Sequence, residues 1–596
     1  MKNKIIAAIF SVGLLMNWSC TDLEEQVLDE SLKGTTGATQ PVSGALSAAY
    51  GNMSQTFRHT RYFGLVELAT DEAILPPRNG KNGAGTQWQD GDRYVGLHTH
   101  NFPTANSLVT ESWDYLTTNI SRTVTAIESL TALAEAGDNE AQKAVYEMRA
   151  LRAYFNMLVL DTWGIAFKKE FSSETSQILR RQEAIDYIES EFSSVVTLMS
   201  DNIGPGRITQ SAVYGFLAKL HLNAAVYRDP YGTPDFKKED MDKVIEYTDN
   251  VINTGKFSIS PEYFDLFNDD NHDNPEVIFA VDQRGVLRND QNRWAYWSMS
   301  GSLFPRPDDF YIDMDGTDGP AITSDFYQTW VEAYGNEDPA RDARFYQKNA
   351  NVPAGLEDLT GLNPTNDADH YYCVGDEDGD GVNDFEMDRG ILRGAIWAPR
   401  KIDFNKSNGV MTCDEGYRIY PLAEMRENGS GGVTYYVNHT EEINFSPTIG
   451  YASGYRVAKW QFSKTSQNGN NYSSVDLILL RYADIYLMRA EAKLRNGETA
   501  SALTDVNYVR SQRTARPDQT PPALSSLDLE ILYRERGFEF YWEMARRTDM
   551  IRFGHYEDTW TEKTNTDPKK RLFPIPQNAV DGATNVPGYL EQNPGY

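Results

Sequence analysis

The acidic stretch of residues 376–384 has the residue types and spacing of a calcium-binding loop. Carboxylates stand at its first, third, fifth and ninth positions, and glycine stands at the sixth, where such a loop turns sharply. Without a cation, the clustered acids would repel one another. The predicted ligands are four carboxylates and one backbone carbonyl, from Asp376, Asp378, Asp380, Asp384 and Val382. The twelfth position holds Met387, so Glu386 or Asp388 would have to replace the usual glutamate; the alternative is a solvated acidic loop.

Two polar stretches place aromatic residues beside charged ones, a combination that suits carbohydrate. A sugar ring has a flat face of C–H bonds, which an aromatic ring can cover, and a rim of hydroxyl groups, which charged side chains can bind. The predicted glycan contacts are Trp88, Asp90, Arg93 and Tyr94 in the first stretch and Arg293, Trp294, Tyr296 and Trp297 in the second. The alternative is that each tryptophan anchors its loop to the protein core.

The composition argues against several classes of partner. The chain has 596 residues, with 56 Lys+Arg against 86 Asp+Glu and a formal net charge of −30. It therefore offers no basic surface to nucleic acid or to anionic lipid. HExxH, GxSxG, phosphate-loop and GxGxxG motifs are missing from the sequence. A surface glycoside hydrolase remains an alternative, because its two carboxylates need no fixed spacing.

Helices must position these stretches, because apolar residues recur every three or four positions in both halves of the chain. One such face comprises Trp113, Leu116, Ile120, Val124, Ile127 and Leu130. Near the C-terminus, a helix–turn–helix of about 35 residues around Asn496 and Gly497 matches the period of a tetratricopeptide unit. We predict a mostly α protein, a tetratricopeptide-type superhelix, with helical repeats over about 38–255 and 474–545. Loops and short strands are expected over about 256–473.

The N-terminal residues predict export and a lipid anchor. Two lysines precede an apolar run of about a dozen residues, which is too short to span a bilayer but suits a signal peptide. The residues before Cys20 resemble a lipoprotein cleavage site, so we predict a signal peptide over 1–19 and a mature chain over 20–596 that is lipidated at Cys20. A plain signal peptide is the alternative. For Cys373 and Cys413, a disulfide and two free thiols are equally compatible with the sequence.

Several sequence blocks resemble one protein family. They are LLRYADIYLMRAEA over 479–492, YRERGFEF over 533–540, RTDMIRFG over 547–554 and QNPGY over 592–596. They occur in the order of the SusD-like (RagB/SusD) family, and the resemblance covers essentially the whole mature chain. Arg481, Asp484 and Glu491 within these blocks have spacings suited to ion pairs, so we expect them to be structural.

The resemblance implies a function as well as a fold. The resemblance implies a protein that covers a SusC-like TonB-dependent transporter as a lid. Such a protein is expected to bind an oligosaccharide or polysaccharide at the cell surface and to deliver it to the transporter, without enzymatic activity. For this chain the resemblance implies a glycan-binding lipoprotein on the outer membrane. The stretches around Trp88 and Trp294 resemble, in chain order, those that supply the family's aromatic surface. The hydrolase and a receptor for another nutrient, such as peptides, remain the alternatives.

Overall fold

The computed structural model describes residues 40–76, 93–284, 294–295, 297–299, 319–364, 369–377, 379, 384–399, 412–413, 416–427, 432–446, 453–463, 473–584 and 586–596. Helices dominate these residues, and most of the short strands lie in the second half of the chain. The prediction of a mostly α fold is confirmed. No helix of the described residues combines the length and the apolar character that crossing a membrane requires.

The first part of the chain is a series of packed helices. They are α1 (Gln40–Tyr50), α2 (Met53–Thr56), α3 (Tyr62–Glu67), α4 (Arg93–His98), α5 (Ser107–Glu135), α6 (Asn139–Trp163), α7 (Arg181–Ser193), α8 (Gln210–Leu222), α9 (Ala224–Arg228) and α10 (Lys238–Ile252). Asn106 and Asp138 start the two longest of these, because each side chain accepts hydrogen bonds from two backbone N–H groups of the first turn, at 2.9–3.4 Å. Gly164, with a φ of 71°, ends α6 in the left-handed conformation that favours glycine.

Helices return in the second half of the chain, and most of them lie in its last quarter. The later helices are α11 (Ser324–Tyr334), α12 (Tyr482–Arg495), α13 (Thr499–Gln512), α14 (Leu529–Phe540), α15 (Arg546–Phe553) and α16 (Gln577–Gly582). The predicted helix–turn–helix is present as α12 and α13, which pack together around a turn at Asn496 and Gly497. Because α12 also packs against α10, the early and late helices share one hydrophobic core.

Short strands connect the two helical parts. They are β1 (Ile165–Lys168), β2 (Gln177–Arg180), β3 (Val277–Val281), β4 (Tyr346–Gln347), β5 (Tyr372–Val374), β6 (Arg389–Leu392), β7 (Gly394–Ala395), β8 (Trp397–Ala398), β9 (Thr412–Cys413), β10 (Gly416–Pro421), β11 (Ala423–Glu427), β12 (Gly432–Tyr436), β13 (Asn438–His439), β14 (Arg456–Ala458) and β15 (Leu477–Arg481). All their pairings are antiparallel: β1 with β2, β3 with β15, β10 with β5, β8 and β9, β6 with β4 and β14, β7 with β13, and β11 with β12.

A disulfide fastens the strand region. Cys373 in β5 and Cys413 in β9 form a disulfide, with Cα atoms 6.2 Å apart. Of the two alternatives that the sequence left open, the disulfide is therefore present and the pair of free thiols is not. Both strands pair with β10, which brings the two cysteines together. A second, smaller hydrophobic core lies in this region, with Trp397 and Ile419 among its buried residues.

A fully buried ionic cluster, here called the arginine cage, ties β3 and β15 to α13 and α14. The cage consists of Glu276, Arg344, Arg481, Arg513 and Glu539. Its five ion pairs have N–O distances of 2.5–3.0 Å. Burial alone would raise the pKa of the Glu539 carboxyl, but the three guanidinium groups hold it well below its ordinary value. The family-like Arg481 is therefore a structural residue.

Candidate functional site

Three parts of the chain meet at one small hydrophobic cluster, here called the convergence cluster. It consists of Ile74, Ala321 and Ile443, with Phe445 packed against them. Ile74 and Ala321 form a two-way backbone bridge, with both N–O distances 2.9 Å. Residues 77–92, which contain Trp88, follow Ile74 closely in the chain, and residues 300–318 precede Ala321. The bridge therefore joins Ile74 and Ala321, which stand next in sequence to two stretches that are far apart in the chain.

Further backbone contacts hold the third part of the chain, which contains Ile443, at the convergence cluster. Ile322 N donates to Tyr455 O at 3.1 Å, and Gly454 N donates to Glu442 O at 3.0 Å. Gly454 has a φ of 82°, and a Cβ at this position would lie 2.5 Å from the Cβ of Ala321. This close approach requires glycine, because a side chain would push the segments apart.

Three of the predicted glycan contacts are buried instead. Trp294 is 2% exposed and donates from its indole nitrogen to Phe57 O at 3.1 Å. Trp297 is fully buried, and its ring lies 5.8 Å from that of Trp542. Tyr94 is 1% exposed and lies 6.2 Å from Trp297. The prediction that these three rings contact a ligand is wrong, because burying such large apolar faces favours packing against the core. The anchoring alternative is correct for them.

The other predicted contacts have different outcomes. Arg93 is half-buried at the start of α4, where its Nη1 donates to Ser107 Oγ at 3.3 Å. Its backbone carbonyl accepts a bond of 2.9 Å from Asn106 Nδ2, which attaches this stretch to the start of α5. A ligand role for Arg93 stays a prediction. The remaining contacts, Trp88, Asp90, Arg293 and Tyr296, lie outside the described residues, as does Cys20.

The fold places other aromatic and polar side chains beside the convergence cluster, and we call this set the candidate surface. Its half-exposed members are Arg393, Asn444, Phe445 and Tyr455. The ring of Tyr455 packs edge-on against that of Tyr327 at 4.8 Å, and Arg393 Nη1 donates to the Tyr327 hydroxyl at 3.4 Å. Burial raises the pKa of Tyr455, so its hydroxyl remains a hydrogen-bonding group at neutral pH. No local sequence pattern marked these residues, because they come from separate segments.

In the described part of the acidic loop, aspartate side chains accept hydrogen bonds from the backbone of the loop itself. Asp376 Oδ1 accepts from Gly379 N at 2.7 Å, and Asp384 Oδ2 accepts from Glu377 N at 2.5 Å. Both aspartates are exposed, and the ligand role of each stays a prediction. The predicted ligands Asp378, Asp380 and Val382 lie outside the described residues.

The two predicted substitutes for the missing twelfth ligand have different surroundings. Asp388 is engaged elsewhere: Oδ1 accepts from Asn349 N at 2.7 Å and Ala350 N at 2.8 Å, and Oδ2 accepts from the Tyr346 hydroxyl at 2.7 Å. Glu386 is exposed, and its carboxylate oxygens lie 3.3 and 3.4 Å from Gln461 Nε2. Because Asp388 is engaged, Glu386 remains the predicted substitute of the two.

A second group of possible metal ligands has an ordinary explanation. His272, Asp282 and Asp476 have ligand atoms within 4.8 Å of one another. His272 Nδ1 is already paired with Asp476 Oδ2 at 2.5 Å, and Asp476 Oδ1 accepts from Gln283 N at 2.6 Å. These contacts satisfy the buried Asp476 without a cation.

Comparison with known proteins identifies the family to which this architecture belongs. The model of the SusD family matches residues 230–596. The starch-binding protein SusD of Bacteroides thetaiotaomicron is 26% identical over 479 residues, which cover 77% of this chain and 74% of that protein. Its name describes a binding protein and not an enzyme.

Solved structures share the fold over nearly the whole chain. A SusD-like protein from Bacteroides fragilis superimposes with a TM-score of 0.60 at 17% identity, covering 96% of this chain and 99% of that one. Surface glycan-binding protein A from Bacteroides fluxus gives a TM-score of 0.59 at 17% identity, with coverage of 93% and 99%. A laminarin-binding SusD-like protein gives 0.58 at 16% identity, with coverage of 93% and 99%. Since the family model matches more than half of the chain and the fold agrees with it, this protein belongs to the SusD family.

Proposed function

We propose that this protein binds an oligosaccharide or polysaccharide at the cell surface without cleaving it. The observation that carries the proposal is the convergence cluster, which joins the base of the Trp88-containing segment to a surface of aromatic and polar side chains. Starch is bound by a relative of similar length, according to that relative's name. Half-exposed rings can cover the C–H face of a sugar, while Arg393 and Asn444 can bind its hydroxyl groups.

The proposal extends to how the protein reaches its ligand and passes it on. Cys20 is proposed to carry a lipid that holds the protein on the outer membrane, and a SusC-like TonB-dependent transporter is proposed to receive the glycan. The resemblance of the sequence blocks over 479–596 to the family supports this assignment. A Cys20→Ser variant should be released from the membrane fraction, and affinity purification of the native protein should recover a transporter.

Binding measurements on purified protein test the central proposal. A glycan array followed by calorimetry should find a ligand, and prolonged incubation should create no new reducing ends; release of reducing ends would favour the hydrolase. Tyr455→Ala and Trp88→Ala should each weaken binding about tenfold, which corresponds to about 1.4 kcal/mol. Phe171→Ala is the matched control, because Phe171 is 55% exposed and lies between β1 and β2. Unchanged binding in both test variants would favour a different nutrient or surface.

Calcium is proposed as a structural ion of the strand region. Asp376, Asp384 and Glu386 are exposed carboxylates at or beside the closed ends of the acidic loop, where oxygen atoms suit a hard cation. Cys373 lies three residues before Asp376, so the ion would stabilise the same part of the fold as the disulfide.

A further inference from the structure

Two glutamates at and just after the end of α3 are buried next to each other. Glu67 is 1% exposed and Glu72 is fully buried, and their carboxyl groups are close enough to interact with each other. Among the described residues, no cation forms an ion pair with either. The arrangement differs from the arginine cage, where every buried carboxylate faces guanidinium groups.

The cations nearest to the two glutamates are engaged with other acceptors, except that Arg546 Nη1 is buried without an acceptor. Lys459 Nζ donates to Tyr541 O at 2.6 Å and to Glu543 Oε1 at 2.7 Å. Arg546 binds Asp71 through two hydrogen bonds of 2.7 Å each. The Tyr533 hydroxyl, in α14, also interacts electrostatically with Glu72. Two negative charges at Glu67 and Glu72 would therefore be only partly compensated.

Each glutamate uses one oxygen to hold the same backbone turn. Glu67 Oε1 accepts from Met544 N, and Glu72 Oε1 accepts from Trp542 N at 2.9 Å. Trp542 and Met544 have φ values of 56° and 62°, in the left-handed region that non-glycine residues rarely adopt. The turn of residues 541–544 thus depends on the hydrogen-bond acceptors that Glu67 and Glu72 provide.

The other oxygen of each glutamate has no donor. Glu67 Oε2 and Glu72 Oε2 are both buried, and no described N–H or O–H group reaches either. Carboxylate oxygens can only accept hydrogen bonds, so the contact between the two groups requires a proton on one of them. Burial raises the pKa of Glu67 to about 7, and burial together with the charge of Glu67 raises the pKa of Glu72 well above its ordinary value.

We propose that Glu67 and Glu72 share one proton in the folded protein at neutral pH, and that this proton holds the turn of residues 541–544 against the segment that leads to the convergence cluster. A proton on either carboxyl group lets that group donate a hydrogen bond to the other one. Loss of the proton leaves two like charges side by side and weakens the acceptors of the left-handed turn. The pair therefore acts as a pH-sensitive clamp.

The sign of the pH dependence follows from the raised pKa values. Glutamates in the unfolded chain lose their protons near pH 4.5, whereas the folded pair keeps a proton at higher pH. Folding then takes up at least one proton, so the pair contributes most to stability at low pH and loses that contribution as the pH rises through the folded pKa values. Between about pH 5 and 7, it makes the unfolding constant rise at least tenfold per pH unit, and above the Glu67 pKa of about 7 the remaining proton keeps a slope of up to about tenfold.

Glu72→Gln tests the clamp, because an amide can replace the shared proton. The Gln oxygen can still accept from Trp542 N, and its N–H group can donate to Glu67 Oε2. With each pH unit, the unfolding constant of the variant should rise about tenfold less than that of the native protein. Hydrogen exchange at Trp542 and Met544 should also stay slow to higher pH in the variant. An equal pH slope in the two proteins would overturn the proposal.

Two further variants and one direct measurement keep the test decisive. Glu539→Gln, the control, should lower stability throughout pH 5–7 without removing this slope, because it leaves the buried arginines with too few carboxylates. A double Glu67→Gln and Glu72→Gln variant should be less stable than either single variant, since two amide donors would then face each other. Isotope-edited infrared spectra of the native protein at pH 7 should show the C=O band of a protonated glutamate, and that band should be missing from the double variant. A native protein without the band would also refute the shared proton, even if the variants fail to fold.

Discussion

The helical parts and the strand region between them are held together by different means. The helices share one large core, and buried ion pairs such as those of the arginine cage join residues more than 200 positions apart. The strand region has shorter elements, a smaller core and a disulfide. Substitutions in the arginine cage should therefore destabilise the whole molecule, whereas substitutions in the strand region should destabilise only that region.

Arg481→Ala should have the largest effect on stability. It removes one partner each from Glu276, Glu539 and Glu543 at once and leaves these buried carboxylates with too few cations. The expected loss in the free energy of unfolding is about 5 kcal/mol, the upper end for breaking a buried pair. Chemical denaturation followed by circular dichroism measures it.

Lys143→Ala provides the control for that variant. Lys143 is exposed and pairs only with Glu140 three residues away, so its loss should leave stability essentially unchanged. Similar losses in the two variants would contradict a special role for the cage.

Removal of the disulfide should have a smaller and more local effect. Cys373 and Cys413 are 40 residues apart in sequence, and closing such a loop stabilises the folded state by up to about 4 kcal/mol. Replacing both cysteines by serine should increase proteolysis and hydrogen exchange around β5 and β10 and leave exchange in α12 unchanged. Equal increases in both places would show that the two regions unfold as one unit.

Local patterns predicted the helical parts well. Apolar periodicity indicated the helix α5, which begins after the cap that Asn106 provides. The turn at Asn496 and Gly497 likewise identified the pair of helices α12 and α13. These features depend on residues a few positions apart, so the sequence carries them directly.

Long-range contacts explain what the sequence did not reveal. Trp294 and Trp297 stand in a polar stretch that predicts exposure, but their burial depends on Phe57 and Trp542, which lie far away in the chain. Tyr455 reaches the candidate surface through the backbone of Ile322, a contact without a local pattern. The disulfide was undecided for the same reason, since a sequence gives no Cα separation.

Calcium removal should also destabilise only the strand region. At a free Ca²⁺ concentration 100 times the dissociation constant, one site contributes about 2.7 kcal/mol. A chelator should lower the melting temperature of the native protein, and Asp384→Asn should make the protein insensitive to the chelator. Mg²⁺ should restore little, because it binds large flexible oxygen sites poorly. An unchanged melting temperature would leave the acidic loop as a solvated turn.

Two helix starts allow the smallest and most specific comparison. Asp138→Ala removes the cap of α6 and should cost about 1 kcal/mol without changing glycan affinity. Asn106→Asp keeps a capping oxygen for α5 but loses the Nδ2 donor that holds the carbonyl of Arg93, so it should alter affinity at little cost in stability. Calorimetry and thermal denaturation of the two variants separate these effects. If both changed affinity equally, binding would follow the stability of the helices, and the link from Asn106 to the Arg93 stretch would have no separate role.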